Sequence, residues 1–317
     1  MNAVVAERLE KRYGDIHALK GLNFAAEEGT MYGLIGPDGA GKSTFMRIAA
    51  CLLFQSSGRV MVKGRDTLKQ SADVKRIIGY MPQRFSLYPD LSVGENLAFF
   101  ADLFGVGKRE RKRRIDELLA FSRLGPFLRW RAAALSGGMK QKLALSCTLI
   151  HTPEVLFLDE PTTGVDPVSR REFWKILADI KRRGTTIVVS TPYMDEAERC
   201  DRVGFIYNGV LIREGEPSEF PLSYPLEILL VRAPDIVKRT RRAAFPAVVK
   251  DVRTFGDRLH LSVESAAESA PAVQAFLEGM GICGIEIVPV APSMEDVFVE
   301  DMGSGRRERA GKADGRA

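Results

Sequence analysis

One short segment of the sequence combines glycines with a lysine and two hydroxyl residues at fixed spacing. The pattern GxxxxGK[ST] is matched by Gly36, Pro37, Asp38, Gly39, Ala40, Gly41, Lys42, Ser43 and Thr44. Glycines at these positions let backbone N–H groups wrap a phosphate at the start of a helix, where the helix dipole favours anions. We therefore expect Lys42 to hold the β- and γ-phosphates of ATP and Ser43 to hold a magnesium ion.

A pair of carboxylates ends an apolar run further along the chain. Residues 155–158 read VLFL and are followed by Asp159 and Glu160. The edge of a buried strand can place one carboxylate beside a metal ion and the next beside the attacking water. We expect Asp159 to orient the magnesium ion and Glu160 to act as the general base. This segment alone indicates a strand with an acidic turn. The phosphate-binding loop (P-loop) predicted at residues 36–44 favours the catalytic interpretation.

A third segment, LSGGMKQKLAL at residues 135–145, carries a resemblance to a known family. It resembles the signature motif of the nucleotide-binding subunits of ABC transporters, and the resemblance covers about residues 5–220. Ser136, Gly137 and Gly138 open a helix whose N-terminus can hold a γ-phosphate presented by a second subunit. The resemblance implies a dimer of ATPase domains, with each ATP between one P-loop and the other subunit's signature.

Three more positions match the family in the expected order. Tyr13 lies where the family stacks an aromatic ring on adenine, although a tyrosine in an exposed turn is an equally good interpretation. Gln83 resembles the Q-loop glutamine, which implies contacts to magnesium and a part in catalysis. The residues after Gln83 resemble the surface that receives a coupling helix of the membrane subunit. Asp166, in TTGVDP, resembles the D-loop aspartate that crosses the dimer interface.

One departure from the family concerns hydrolysis. Where the family usually has a switch histidine, the sequence STPYMDEAE has Pro192. Proline has no side-chain donor for the γ-phosphate and lacks a backbone N–H. Hydrolysis at this chain's own P-loop is therefore in doubt. Asp38, where the family often has asparagine, is a smaller departure that still permits turn geometry.

The order of elements predicts an α/β protein: a P-loop NTPase core of ABC type with an inserted helical subdomain and a small C-terminal α+β domain. We place the ATP-binding domain at residues 1–220, with mostly helical patterns at about 92–150, and interpret residues 74–83, VKRIIGYMPQ, as a buried strand. A proline-rich linker near residues 217–225 precedes a ferredoxin-like βαββαβ unit at residues 221–302. The tail, residues 303–317, lacks apolar residues and is predicted to be disordered.

Composition sets limits on the class of protein. The 317 residues are 45% hydrophobic and 27% charged, as in an average globular protein. No run reaches the roughly 18 apolar residues of a membrane span, and the N-terminus does not read as a signal peptide, so we expect a cytoplasmic chain. The net charge of +5 is concentrated in KRERKRR at residues 108–114 and in the tail. We interpret both as solvated rather than as a nucleic-acid or lipid footprint.

These patterns together predict an ATP-hydrolysing subunit that drives separate membrane-spanning permease subunits from the inner face of the membrane, with ATP and Mg²⁺ as cofactors. The ending PSMEDVFVEDM resembles that of ATPase subunits from drug-resistance and ABC-2-type exporters. The dimer partner of this subunit is expected to be an identical chain or, as Pro192 favours, a second ABC ATPase. One alternative is an ATP-binding regulatory subunit with a degenerate site. Another is a soluble ABC ATPase of DNA repair or translation, whose coiled-coil insert or second ATPase domain we do not find in this sequence.

Overall fold

The computed structural model describes residues 1–84 and 86–302 of the chain. They divide into two compact units, the first ending at Pro217 and the second beginning at Ser218. This division falls inside the proline-rich segment. The tail at residues 303–317, predicted to be disordered, lies outside the described residues. Within the described part of the chain, no helix is both long enough and apolar enough to cross a membrane.

Ten strands form two sheets in the first unit. In chain order they are β1 (Asn2–Tyr13), β2 (Ile16–Glu27), β3 (Met31–Ile35), β4 (Ser57–Val62), β5 (Arg65–Asp66), β6 (Ile78–Met81), β7 (Val155–Asp159), β8 (Thr186–Thr191), β9 (Arg202–Tyr207) and β10 (Val210–Gly215). The smaller sheet is antiparallel, in the order β2-β1-β4-β5. The larger has the order β10-β9-β3-β8-β7-β6.

The larger sheet sets the position of the residues with predicted chemistry. Its strands β3 and β6 to β9 run parallel, and β10 alone is antiparallel to its neighbour. Every residue of β3, β7 and β8 is buried, as expected for parallel strands covered on both faces. Ile35 pairs with Thr191, and Asp159 with Ser190, so these three strands end at one edge. Ligands of open α/β sheets bind outside that carboxyl edge.

The described residues of the first unit form seven α-helices. They are α1 (Lys42–Ala49), α2 (Ser71–Ile77), α3 (Val93–Leu103), α4 (Lys108–Ser122), α5 (Gly137–Leu149), α6 (Pro167–Arg182) and α7 (Met194–Ala197). Helices α3, α4 and α5 make up the helical stretch predicted at about residues 92–150. The first of them starts with a capping box, in which the Ser92 side chain accepts from Glu95 N and the Glu95 carboxylate accepts from Ser92 N.

The prediction of one buried strand over residues 74–83 is wrong. Its first part belongs to α2, which ends at Ile77, and only Ile78–Met81 form β6. Val74 alone is buried in α2, whereas Lys75 and Arg76 are exposed. Two charged side chains cannot enter the interior of a parallel sheet unpaired, so the chain joins the sheet only after them.

The second unit contains a four-stranded antiparallel sheet. Its elements are α8 (Glu219–Leu222), β11 (Glu227–Arg232), α9 (Ile236–Thr240), β12 (Val249–Phe255), β13 (Arg258–Val263), α10 (Ala266–Gly279) and β14 (Glu286–Val290). The strand order β12-β13-β11-β14 is that of a ferredoxin-like βαββαβ unit, and this fold prediction is confirmed.

Helices cover the sheet of the second unit. One core joins Leu229 and Leu261 of the sheet to Val273 and Leu277 of α10. Residues 294–302 are also helical, and Met294, Val297 and Phe298 of that helix are buried. Arg253 of β12 donates to the backbone oxygen of Asp296. The end of the described chain is therefore packed on its own unit.

Candidate functional site

The glycine-rich loop lies between β3 and α1, at the carboxyl edge of the larger sheet. Gly41, just before α1, has φ +110, and a Cβ there would lie 2.9 Å from Ala18 O and 2.8 Å from Leu19 Cδ2. Only glycine avoids both the backbone strain and the clash. The loop borders a cavity of about 340 Å³. The cavity is lined by Ala18, Asp38, Gly39, Ala40, Gly41, Lys42, Ser43, Thr44, Gln83 and Glu160.

Lys42 is folded back against the loop that precedes it. Its side chain is 4% exposed, and its Nζ donates to Gly36 O at 2.7 Å and Pro37 O at 3.1 Å. The same nitrogen lies 3.2 Å from Glu160 Oε1. A buried ammonium requires such compensation, and the Glu160 carboxylate supplies it here. The positive charge is thus held where the cavity meets the end of β7.

Asp159, the last residue of β7, is held through one of its oxygens. Its Oδ1 accepts from Ser43 Oγ at 3.0 Å and from Ser190 Oγ at 2.9 Å. Its Oδ2 is buried and has no hydrogen-bond partner among the described residues. An unpaired carboxylate oxygen beside a serine hydroxyl suits Mg²⁺. This hard cation binds oxygen ligands, keeps several waters and takes one or two protein carboxylates. Ser43 and Asp159 therefore fit a magnesium ion.

Glu160 adopts a left-handed backbone conformation with φ +48, and its N–H lies 3.0 Å from Ser190 Oγ. Its Oε2 accepts from Gln83 Nε2 at 2.8 Å and from Thr163 Oγ1 at 3.3 Å. Strained backbone held by its surroundings is typical of functional positions. Gln83 thus contacts Glu160 here, and its predicted contact to magnesium stays a prediction. No local motif indicates Thr163 or Ser190, because the roles of these residues depend on tertiary contacts.

The signature residues lie at the start of α5. Ser136 caps this helix, with its hydroxyl accepting from Met139 N at 3.3 Å. A Cβ on Gly137 would make only an ordinary contact, 3.8 Å from Gly164 O, whereas a Cβ on Gly138 would lie 2.5 Å from Ser169 Cβ in α6. Glycine at this position therefore lets α5 and α6 approach closely. No contact described for these residues joins them to the glycine-rich loop of the same chain.

Asp166 caps α6. Its Oδ1 accepts from Val168 N at 3.1 Å and from Ser169 N at 2.9 Å. The hydrogen bonds to Ser169, with that to Val168, lower the pKa of Asp166. The capping carboxylate thereby stays charged and holds the loop before α6 in one conformation. Ser169 thus contacts both Asp166 and the signature, and none of these residues is among those that line the cavity beside Lys42 and Glu160.

Tyr13 ends β1, in the hairpin with β2, where it pairs with Ile16. Its side chain is 43% exposed, and Lys11 Nζ lies 5.0 Å from the ring centroid. Tyr13 is not among the residues that line the cavity, whereas Ala18 of the same hairpin is. The predicted adenine contact stays a prediction, and the exposed-turn interpretation describes the geometry equally well.

Pro192 follows β8 directly and is exposed. Beneath it lies a buried network that the sequence did not indicate. The Glu196 carboxylate accepts from Thr191 Oγ1 at 2.5 Å and from Thr162 Oγ1 at 2.6 Å, and it pairs with Arg170 Nε at 3.1 Å. This network fixes the segment around Pro192 against the loop between β7 and α6.

Comparisons with known proteins show what the chain is similar to. The family described as ABC transporter matches residues 19–163. A probable multidrug ABC transporter ATP-binding protein, YbhF of Escherichia coli K12, is 41% identical over 93% of this chain and 51% of its own length. The daunorubicin resistance ATP-binding protein DrrA3 of Streptomyces coeruleorubidus is 34% identical over 96% of this chain and 97% of its own.

A solved structure extends the likeness to three dimensions. It is a dimeric ATP-binding cassette in a post-hydrolysis state bound to ADP and Pi, 28% identical over 67% of this chain and 98% of that one, with a TM-score of 0.62. The chain belongs to the family of ABC transporter ATP-binding proteins. It spans about half the length of YbhF and nearly the whole of DrrA3.

Proposed function

We propose that this chain is the ATP-binding and hydrolysing subunit of an ABC exporter, and that it drives separate membrane-spanning subunits from the cytoplasmic face. One observation carries the proposal: five residues from three segments distant in sequence are linked by direct contacts at one sheet edge, namely Lys42, Ser43, Gln83, Asp159 and Glu160. The relatives, named as a probable multidrug transporter protein and a daunorubicin resistance protein, support the export of drugs.

In this proposal Lys42 changes partners when the nucleotide binds. Its ammonium now neutralises Glu160, and the β- and γ-phosphates of ATP offer it a stronger charge. Once Lys42 turns to the phosphates, Oε1 of Glu160 is free to accept a proton from water. Gln83 and Thr163 keep the other oxygen of Glu160 in place, so the base stays aimed. Bound magnesium, held by Ser43 and Asp159, would neutralise charge that develops on the phosphates.

The working unit proposed here is a dimer. Ser136 and Gly137 do not line the cavity beside this chain's own glycine-rich loop, which supports a γ-phosphate contact made across a subunit interface. The permease would meet the segment after Gln83. This region exposes three large aromatic side chains, Tyr88, Phe99 and Trp130. The ring centroids of Tyr88 and Phe99 lie 4.7 Å apart. Exposed aromatic side chains of this kind are typical of interaction sites.

Pro192 favours a second candidate, a subunit that binds ATP and hydrolyses it slowly beside a competent ATPase. The proline is exposed at the end of β8 and offers the phosphates no donor. Glu160, the proposed general base, contacts Lys42 and Gln83 despite the proline. The candidate with slow hydrolysis therefore rests on Pro192 alone. The two candidates differ in the rate of hydrolysis and share the binding of ATP.

Replacing Lys42 by alanine tests the binding site common to both candidates. We expect ATP affinity to fall on the order of 30-fold, because a charge-assisted contact to phosphate is lost. Equilibrium binding of a fluorescent ATP analogue to the purified chain measures this. Lys75→Ala, on the exposed face of α2, is the matched control and should bind like the unmodified chain. Unchanged affinity in Lys42→Ala would refute the assignment of the phosphate site.

Removal of the second unit is a further test. A fragment of residues 1–217 is expected to fold and to bind ATP with an affinity close to that of the whole chain, because every proposed phosphate contact lies before Ser218. Circular dichroism and the same fluorescent titration are the measurements. A folded fragment without ATP affinity would contradict this division of labour. Changes confined to turnover or assembly would instead assign the ferredoxin-like unit a regulatory role.

A further inference from the structure

Tyr80 of β6 presents a buried hydroxyl to the carboxyl edge of the sheet. It pairs with Phe157 of β7, two residues before Asp159, and its ring packs against the core of the first unit. The hydroxyl is buried and makes no hydrogen bond of ordinary geometry within the described residues. A buried polar group without a partner is rare in folded proteins and calls for a functional explanation.

The surroundings of this hydroxyl identify what it can do. Burial raises the pKa of Tyr80, the adjacent Asp159 carboxylate raises it further, and the Arg47 guanidinium opposes both. A tyrosine hydroxyl is ordinarily protonated in neutral solution, so it can act as a hydrogen-bond donor. The nearby acceptor without a partner is Asp159 Oδ2, which is equally buried. A buried donor on β6 and a buried acceptor on the neighbouring strand β7, neither with a hydrogen bond of ordinary geometry among the described residues, thus lie near the same end of the sheet.

The other oxygen of Asp159 explains why a donor is needed there. Its Oδ1 is held by Ser43 and Ser190. If Ser43 turns toward a magnesium ion, Asp159 loses one of its two donors at the moment its orientation matters most. We propose that Tyr80 is a positioning residue for the metal site, whose hydroxyl donates to Asp159 Oδ2 and holds the carboxylate while Ser43 binds magnesium. This inference rests on the proposed function as a magnesium-dependent ATPase subunit.

Tyr80→Phe removes the hydroxyl and keeps the ring. The affinity for a fluorescent ATP analogue is measured in EDTA and again in saturating Mg²⁺, so that the gain due to the metal is separated from the affinity for the nucleotide itself. We expect the affinity in EDTA to be unchanged and the gain from Mg²⁺ to fall about 10-fold, as is typical when a partner behind a metal ligand is lost. A residue that only supports the fold would lower both affinities together.

Tyr32→Phe is the matched control. Tyr32 is buried on β3, and its hydroxyl donates to Glu214 Oε2 at 2.9 Å, so this variant also removes a tyrosine hydroxyl beside a carboxylate. Its gain from Mg²⁺ should equal that of the unmodified chain. An unchanged gain in Tyr80→Phe, or an equal loss in both variants, would overturn the inference alone. If the unmodified chain gained nothing from Mg²⁺, the proposed function would fail first.

Discussion

Glu160→Gln is expected to keep ATP bound while slowing hydrolysis on the order of 1000-fold, because the amide preserves the shape of the carboxylate and cannot accept a proton from water. Gln83 and Thr163 hydrogen-bond to the same oxygen of Glu160, so the replacement leaves their geometry largely in place. Steady-state phosphate release measures the rate, and nucleotide retained after gel filtration measures the trapped ATP.

A control at the other end of β7 separates catalysis from stability. Glu154 precedes the strand, is exposed and pairs with Lys63 at 3.7 Å. Glu154→Gln changes the same functional group at a distance from the site and should hydrolyse ATP at the unmodified rate. Normal turnover by Glu160→Gln would mean that another residue activates the water, and the proposed role of Glu160 would have to be given up.

Pro192→His should raise ATP hydrolysis by the purified chain. If the missing donor to a transition-state oxygen limits the chemistry, the gain is on the order of 100-fold. The imidazole would follow the end of β8, in a segment that the Glu196 network fixes through Thr191. The measurement is the steady-state ATPase rate of both proteins at matched concentration. A gain would support unequal ATP sites, with this chain's signature completing a faster site on a partner.

Pro192→Ala distinguishes the side chain from the backbone. Proline restricts the residue before it and lacks an N–H, so its removal alone could relax the loop. Alanine restores the N–H without an imidazole and should leave hydrolysis slow. Vigorous hydrolysis by the unmodified chain, with no gain from histidine, would show that the proline is tolerated and that the asymmetric-site hypothesis is wrong.

Local patterns predicted the parts of the site whose chemistry is written in adjacent residues. The glycine-rich loop and the pair Asp159 and Glu160 each form one contiguous motif between elements of recognisable periodicity, and the structure joins them through Lys42 and Ser43. The ferredoxin-like order of the second unit was predictable for the same reason. Its strands and helices alternate with clear turns, and the order of elements restricts the topology.

Contacts between distant segments were not predictable. Ser190 hydrogen-bonds to both Asp159 and Glu160. The Glu196 carboxylate accepts hydrogen bonds from Thr162 and Thr191 and pairs with Arg170. These residue types are common at strand ends and in helices, so their presence alone does not indicate such contacts. The segment at residues 74–83 was misread because Val74, Ile77 and Ile78 form an apolar run that is interrupted by charges. Short runs of this kind fit a helix and a strand equally well.

The ion pair between Lys42 and Glu160 has a consequence for the thermodynamics of nucleotide binding. Both side chains are almost fully buried, so in the proposed binding mode ATP must separate charges that compensate each other before it gains its own contact to the lysine. The measured affinity is then the difference between two competing ion pairs. The observed free energy of ATP binding is therefore weaker than the intrinsic attraction between the loop and the phosphates. The difference is the free energy of the Lys42–Glu160 pair that is broken. Without nucleotide, Lys42 and one oxygen of Glu160 remain bound to each other. In this proposal the base therefore becomes available only after ATP has broken the ion pair.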